Sequence, residues 1–403
     1  MNPSRCAPLA FLLFFHVGAA GAQITFSAPQ LLSAGTSPAA VASADFTGDT
    51  HLDLITVNRA SDDAHVYVGD GQGGFTFLQS FAVGNFPQGV IAARFNVGAE
   101  WDVANTSVPF NTGNVTAWLG AGDGSFASSD VLVTDDGPRG LVAVDLDEDG
   151  ALDLAAVNST RGNLSTFLGD GDGTFGTEIR TPVGSASSFP TDLAVADFNE
   201  DGDLDVITSN AQSVDDSLGI VFGDGDGTFG GATAIPTTCD RPESVVAGDF
   251  DGDEHTDVAV ACFVSGEVAV LLGNGAGGFG SPTLLSLAPE SGSYWVLSGD
   301  FDNDGELDLA TSNNGSFSVL RGKGDGSSEP PIHRTAVGEF FGADAADYDG
   351  DGRLDLAFAN FGQDEVWVYS NTTPPRVPSL QPLVALALSG TLAAFGFTRA
   401  GRA

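Results

Sequence analysis

A chain of 403 residues with 54 glycines and a formal charge of −40 is long enough for one large all-β domain or two ordinary ones. Such acidity argues against nucleic-acid binding, which needs basic patches. A hydrophobic share of 42% likewise argues against a disordered acidic chain, so the charge must be spread over a large surface or neutralised where it concentrates.

In chain order, residues 1–22 read as a secretory signal peptide. Arg5 is the lone charge, Ala7 to Val17 form an apolar core, and "AGA" (20–22) offers small residues for cleavage before Gln23. The apolar run is short for a membrane anchor. Cys6 would leave with the signal, and the mature chain would keep Cys239 and Cys262 in an oxidising compartment.

Residues 23–373 are periodic. An acidic motif such as "DFNEDGDLDV" (197–206) starts at Asp45, Asp145, Asp197, Asp249, Asp300 and Asp347, with a degenerate copy, "RFNVGAEWDV", at 94–103. Steps of 47 to 52 residues define seven units, a period that points to a propeller or solenoid. Each unit parses into four short strands. In the third, "GLVAVDL" (140–146) and "LDLAAVN" (152–158) flank the acidic loop, "LSTFLG" (164–169) follows, and a glycine-rich hairpin (169–175) leads to "TEIRTPV" (177–183). Helix-length amphipathic patterns are absent from this region. The reading is an all-β, seven-bladed β-propeller. The last unit stops after its third strand, "VWVYSN" (366–371), while "FSAPQLLSAG" (26–35) looks like a fourth strand without a blade. The N-terminal strand is therefore expected to complete the last blade and close the ring, which removes an exposed edge.

Within each loop, oxygen-bearing side chains recur at positions 1, 3, 5 and 9, with glycine commonly at position 6 for the sharp turn. Alternate oxygen ligands plus a carbonyl at position 7 are what Ca²⁺ requires, and clustered carboxylates repel one another unless a divalent ion sits among them. Units three, six and seven carry full sets: Asp145, Asp147, Asp149 and Asp153; Asp300, Asp302, Asp304 and Asp308; Asp347, Asp349, Asp351 and Asp355. Unit four has Asp197, Asn199, Asp201 and Asp205. Unit five has Asp249, Asp251, Asp253 and Asp257, but Glu254 in place of the glycine. Unit one keeps Asp45, Asp49 and Asp53, with Thr47 at position 3 and Thr50 at position 6, so weaker binding is expected; unit two keeps only Asp102 and is expected to bind nothing. Up to six loops are thus candidate calcium sites. They are not EF-hands: position 12 holds Thr, Ala, Val or Phe, never the bidentate Glu, and the flanks are strands.

With Asp at position 9, the repeated motif resembles the calcium-binding FG-GAP (VCBS-type) repeats of integrin α-subunit propellers and their bacterial secreted relatives. The resemblance covers roughly residues 24–371 and implies a seven-bladed propeller with Ca²⁺ between the first two strands of some blades.

No catalytic set emerges. "GDGQGG" (69–74) and "GNGAGG" (273–278) fit a dinucleotide pattern but lie in hairpins without a following helix. There is no G-x-S-x-G elbow, and the dense carboxylate clusters are explained by calcium. Cys239 precedes the first strand of unit five and Cys262 ends its second, on the face opposite the loop; a disulfide there is geometrically plausible, with free buried thiols as the alternative. On that face Pro38, Pro87, Pro138, Pro190 and Pro242 stand seven residues before the motif, and Asn58, Asn158, Asn210, Asn313 and Asn360 five after the position-9 acid. Their regularity suggests backbone geometry. The variable residues Phe86, Arg139, Phe189, Arg241, Tyr294 and Phe340 are better candidates for contacting a partner.

Residues 374–382 form a Pro-rich linker and motif ("VPSL", 377–380), and residues 383–403 an apolar stretch with Arg399 and Arg402 at its end. This order resembles the bacterial IPTL or PEP sorting tails recognised by exosortase-like membrane enzymes, although "VPSL" departs from "IPTL"; a simple tail anchor is the alternative. Both readings place the protein outside the cytoplasm, secreted or at the cell surface, with membrane contact through the tail. The expected function is a calcium-stabilised surface binding or adhesion module for an unknown protein or glycan, not an enzyme. The alternatives are a polysaccharide-active enzyme on the same scaffold, or a structural envelope component.

Overall fold

The computed structural model describes residues 23–108, 112–184, 188–211 and 217–375. The expected signal peptide and the sorting motif with its apolar tail lie outside these residues. All regular elements among the described residues are β-strands.

The parsing into units holds locally. In unit three the strands run Pro138–Val144, Asp153–Asn158, Asn163–Phe167 and Ile179–Pro182, and form one antiparallel sheet in sequence order. Second strands such as Asp153–Asn158 are buried along their whole length, because both faces pack on neighbouring sheets. Fourth strands such as Thr283–Ser286 are largely exposed. First strands of successive units touch each other around the axis, and the first strand of unit one, Pro38–Ala44, touches Ile332–Ala346 of the last. Such close approach leaves no room for side chains: a Cβ on Gly89 would stand 2.7 Å from the Arg139 carbonyl oxygen, and one on Gly342 2.7 Å from that of Ala39.

The blade count requires correction. Among the described residues the strands assemble into six sheets, not seven: five of four strands and one of six. The large sheet unites the sixth and seventh units through two long strands, Asp308–Leu320 and Ile332–Ala346. The latter pairs with the third-strand segment of unit six, Arg334 opposite Phe317, and then with Asp355–Asn360, Phe340 opposite Asn360. The cause is visible in the repeat. Five units begin their first strand with proline, which donates no hydrogen bond and interrupts pairing. The residue before it stands at positive φ in all five: Ser37, Phe86, Gly137, Phe189 and Arg241. Unit seven has Phe340 at that position, so the strand runs on unbroken. Phe340 is buried against Phe358 and Trp367, and is not the surface contact the sequence suggests.

The ring closes as expected. Gln30–Ser33 pairs antiparallel with Glu365–Tyr369, with Leu32 opposite Val366. Leu32 is buried with Val366, Val368 and Tyr348, whereas Leu31 faces solvent. Across the same seam Phe75 of unit one packs edge-on against Tyr348 of unit seven, with ring centroids 5.5 Å apart. Equivalent pairs join other neighbours: Phe46 with Phe126, Phe95 with Phe175, and Phe198 with Phe279. Each joins position 2 of one acidic loop to the hairpin of the next unit. Cys239 and Cys262, both fully buried, are bridged by a disulfide with Cα atoms 5.3 Å apart.

Candidate metal loops and the axial cavity

The acidic loops are built from the position-9 aspartate outward. Asp53, Asp102, Asp153, Asp205, Asp257, Asp308 and Asp355 are all fully buried. One oxygen of each accepts a backbone N–H from the start of its own loop: Thr47 in unit one, and the position-2 residue (Phe95, Leu146, Phe198, Phe250, Phe301 or Tyr348) in the others. The second oxygen accepts an N–H where the third strand ends, from Gly69, Gly120, Gly169, Gly223, Gly273, Gly322 or Asn371. This carboxylate therefore staples the first loop to the second hairpin. The sequence reading assigned it only as a ligand. Its retention as Asp102, in a unit that has lost its other acids, is explained by the staple. Burial pushes all seven carboxyls above their ordinary range, against the lowering effect of the two N–H donors. Asp308 and Asp355 reach about 7, with Asp302 and Asp304, or Asp349 and Asp351, adding to the rise.

Position-1 acids turn the loop. Asp45, Asp145, Asp197, Asp249, Asp300 and Asp347 each accept the backbone N–H of position 6. Position 6 stands at positive φ in all six, including Thr50 at 76° and Glu254 at 71°. The missing glycine in unit five thus costs some strain, about 1 kcal/mol, without changing the turn.

Four loops gather three carboxylates with one oxygen from each within 4.8 Å of the others: Asp145, Asp147 and Asp153; Asp249, Asp251 and Asp257; Asp300, Asp302 and Asp304; Asp347, Asp349 and Asp351. Among the described residues, units one and four show no such triple. The donor set suits a hard divalent cation, which takes oxygen ligands and neutralises mutually repelling acids. A buried oxygen of Asp145 that lacks a hydrogen-bond partner fits the same need. In units six and seven, arginine already supplies some positive charge: Arg321 lies 3.3 Å from Asp302, and Arg353 pairs with Asp351.

The opposite face holds a different site. A cavity of about 260 Å³ is ringed by residues from the start of the first strand in every unit, which places it on the axis. Arg59, Arg139 and Arg241 contribute from units one, three and five. Tyr294, Trp295, Phe341 and Phe361 contribute from units six and seven. Tyr294 stacks on Phe341 at 4.6 Å and contacts Phe263 at 4.5 Å, Phe341 contacts Phe361 at 4.7 Å, and the Arg241 guanidinium lies 4.4 Å over Phe263. Buried Glu243 pairs with Arg241 at 2.6 Å. Burial lowers the Arg139 pKa, and Arg59 and Arg241 lower it further, against the opposing effect of Glu243. A second cavity, about 390 Å³, adjoins the first and shares Arg59, Gln88 and Arg139 with it; Phe86 and Phe189 also line it. Sequence reading singled out Arg139, Arg241, Tyr294, Phe86 and Phe189 but missed Arg59, Phe341 and Phe361. The signal was adjacency: Arg59 and Phe361 directly follow the recurrent Asn58 and Asn360, and Phe341 follows Phe340.

The model of the FG-GAP-like repeat matches residues 145–208, 210–260, 249–311 and 300–358, more than half of the chain. No curated protein matches it in sequence. Solved structures that share the fold include BBS1N in complex with ARL6DN, at 12% identity and TM-score 0.60 over 87% of this chain and 99% of that one. A lectin of Agrocybe aegerita that recognises non-reducing terminal N-acetylglucosamine aligns at 18% identity and TM-score 0.53, covering 82% and 87%. The virginiamycin B lyase of Staphylococcus aureus, as a catalytically inactive variant with quinupristin, aligns at 11% identity and TM-score 0.55, covering 86% and 99%. At these identities the likeness concerns the fold alone.

Proposed function

We propose that this chain, which belongs to the FG-GAP-like repeat family, works as an exported, calcium-stabilised binding module displayed at a cell surface. The observation that carries this reading is the division of labour between its two faces. On one, repeated loops gather carboxylates into sets suited to Ca²⁺; on the other, residues that differ from unit to unit converge on a cavity. Repeated positions serve the scaffold, and variable positions on a rigid scaffold serve recognition. Calcium in this role stiffens rather than signals, since extracellular modules bind it at roughly 10⁻⁴–10⁻³ M. The N-terminal signal pattern and the sorting-like tail support export and retention at the envelope.

The test is a calcium-replete binding screen against glycans and matrix proteins, run beside an assay for product release from a polysaccharide panel. Retention of a ligand without turnover is the expected result. Product release would replace this reading with that of an enzyme.

A further inference from the structure

We propose that the axial cavity and the one beside it bind a short stretch of acidic polysaccharide, with the carboxylate of one uronate ring held by Arg139 and Arg59 and its apolar face laid against the aromatic arc of Tyr294 and Phe341. The proposal deepens the reading of the chain as a binding module and rests on it.

Charge makes the first argument. Residues 23–375 hold only ten lysines and arginines in a strongly acidic chain, yet three of them line this one cavity. Of these, Arg241 is neutralised by Glu243 and braced on Phe263. Arg59 and Arg139 have no carboxylate within ion-pair distance among the described residues. Three guanidinium groups around one cavity, with a single acid between them, leave uncompensated positive charge. In a half-buried setting that charge is an attraction for an oxyanion, and the planar donor fork of arginine suits a carboxylate.

Shape makes the second. The cations and the aromatics occupy different arcs: arginines from units one, three and five, aromatic rings from units six and seven. A ligand that satisfies both carries an anionic group on one edge of a ring and an apolar face on another side. A uronate does so, and its hydroxyls have polar neighbours in Gln88 and Thr191. The third argument is continuity. The adjoining cavity shares Arg59 and Arg139 and adds Phe86 and Phe189, with Asp136 as its one acid, so a second sugar can follow the first beside the same two arginines.

Calorimetric titration of the full-length protein with digalacturonic acid, at calcium saturating for the loops, tests this. The acid should bind, its methyl ester and a neutral disaccharide should bind at least about tenfold more weakly, and Arg139→Gln should lose about tenfold in affinity. Arg59→Gln should weaken binding in the same direction, and both variants should keep the wild-type melting temperature. An oligoglutamate peptide should not compete. Equal binding of acid and ester, indifference to both substitutions, or preference for the peptide would overturn the proposal. A neutral glycan retained in the broader screen and unaffected by Arg139→Gln would sink only this inference; no ligand of any kind would sink the binding module with it.

Discussion

Asp102 isolates the staple from the proposed metal site. It accepts the N–H groups of Phe95 and Gly120 from a fully buried position, in a loop without the acids needed for metal. Asp102→Asn replaces one acceptor oxygen with a donor facing an N–H, so a loss of about 2–3 kcal/mol is expected by urea denaturation, equal with calcium and with chelator. The staple was not legible in the sequence, because its second partner lies 18 residues away across the blade. The ligand pattern was legible because it is local. Asp192 offers a pH-dependent counterpart away from the loops. Its carboxyl is buried at the inner strand, accepts hydrogen bonds from the Ser244 hydroxyl and the Val245 N–H, and is pushed up to about 6 by burial. Since the folded pKa lies above the unfolded one, this group favours folding most at low pH. That advantage is lost as pH rises from about 4 through about 6, a change of roughly 3 kcal/mol. Asp192→Asn should remove this slope from a pH series of unfolding free energies.

At the scale of elements, the strand pattern and the ring closure could be read from alternation and from the orphan strand at the N-terminus. Leu32 and Leu31 test the seam. Leu32→Ala should cost about 2–4 kcal/mol because its side chain fills the core under Val366 and Tyr348, whereas Leu31→Ala on the solvent side should cost less than about 0.5 kcal/mol. The fusion of the last two units was harder to foresee. A count of acidic loops gives seven units, but what separates sheets is the break before each inner strand. Proline supplies that break in five units and Gly292, at positive φ, in the sixth, whereas Phe340 does not in the seventh. The information was in the recurrence of proline; its consequence depends on pairing between strands of different units, which periodicity does not report.

At the scale of the whole molecule, the fold divides charge by face. Burial raises the pKa of the position-9 carboxylates on one side, those of Asp308 and Asp355 to about 7, so the cation-free wheel is favoured by protonation. Bound calcium, as proposed, would reverse the preference, because its ligands must be ionised to bind. On the other side, arginines concentrate where the seven units meet. The sequence exposed the acidic face through repetition. It exposed the basic face only in part, since residues as far apart as Arg59, Arg241 and Phe361 become neighbours only when the ring closes.

Thermal melting of the purified protein with saturating Ca²⁺ and with chelator, from about pH 5 to about pH 8, reaches the central claim most directly. With chelator the melting temperature should fall as pH rises and the raised carboxyls ionise against one another. With calcium it should be markedly higher, and the gap between the two curves should widen toward high pH. Superimposable curves across that range would show that the gathered aspartates hold no ion that matters to the fold.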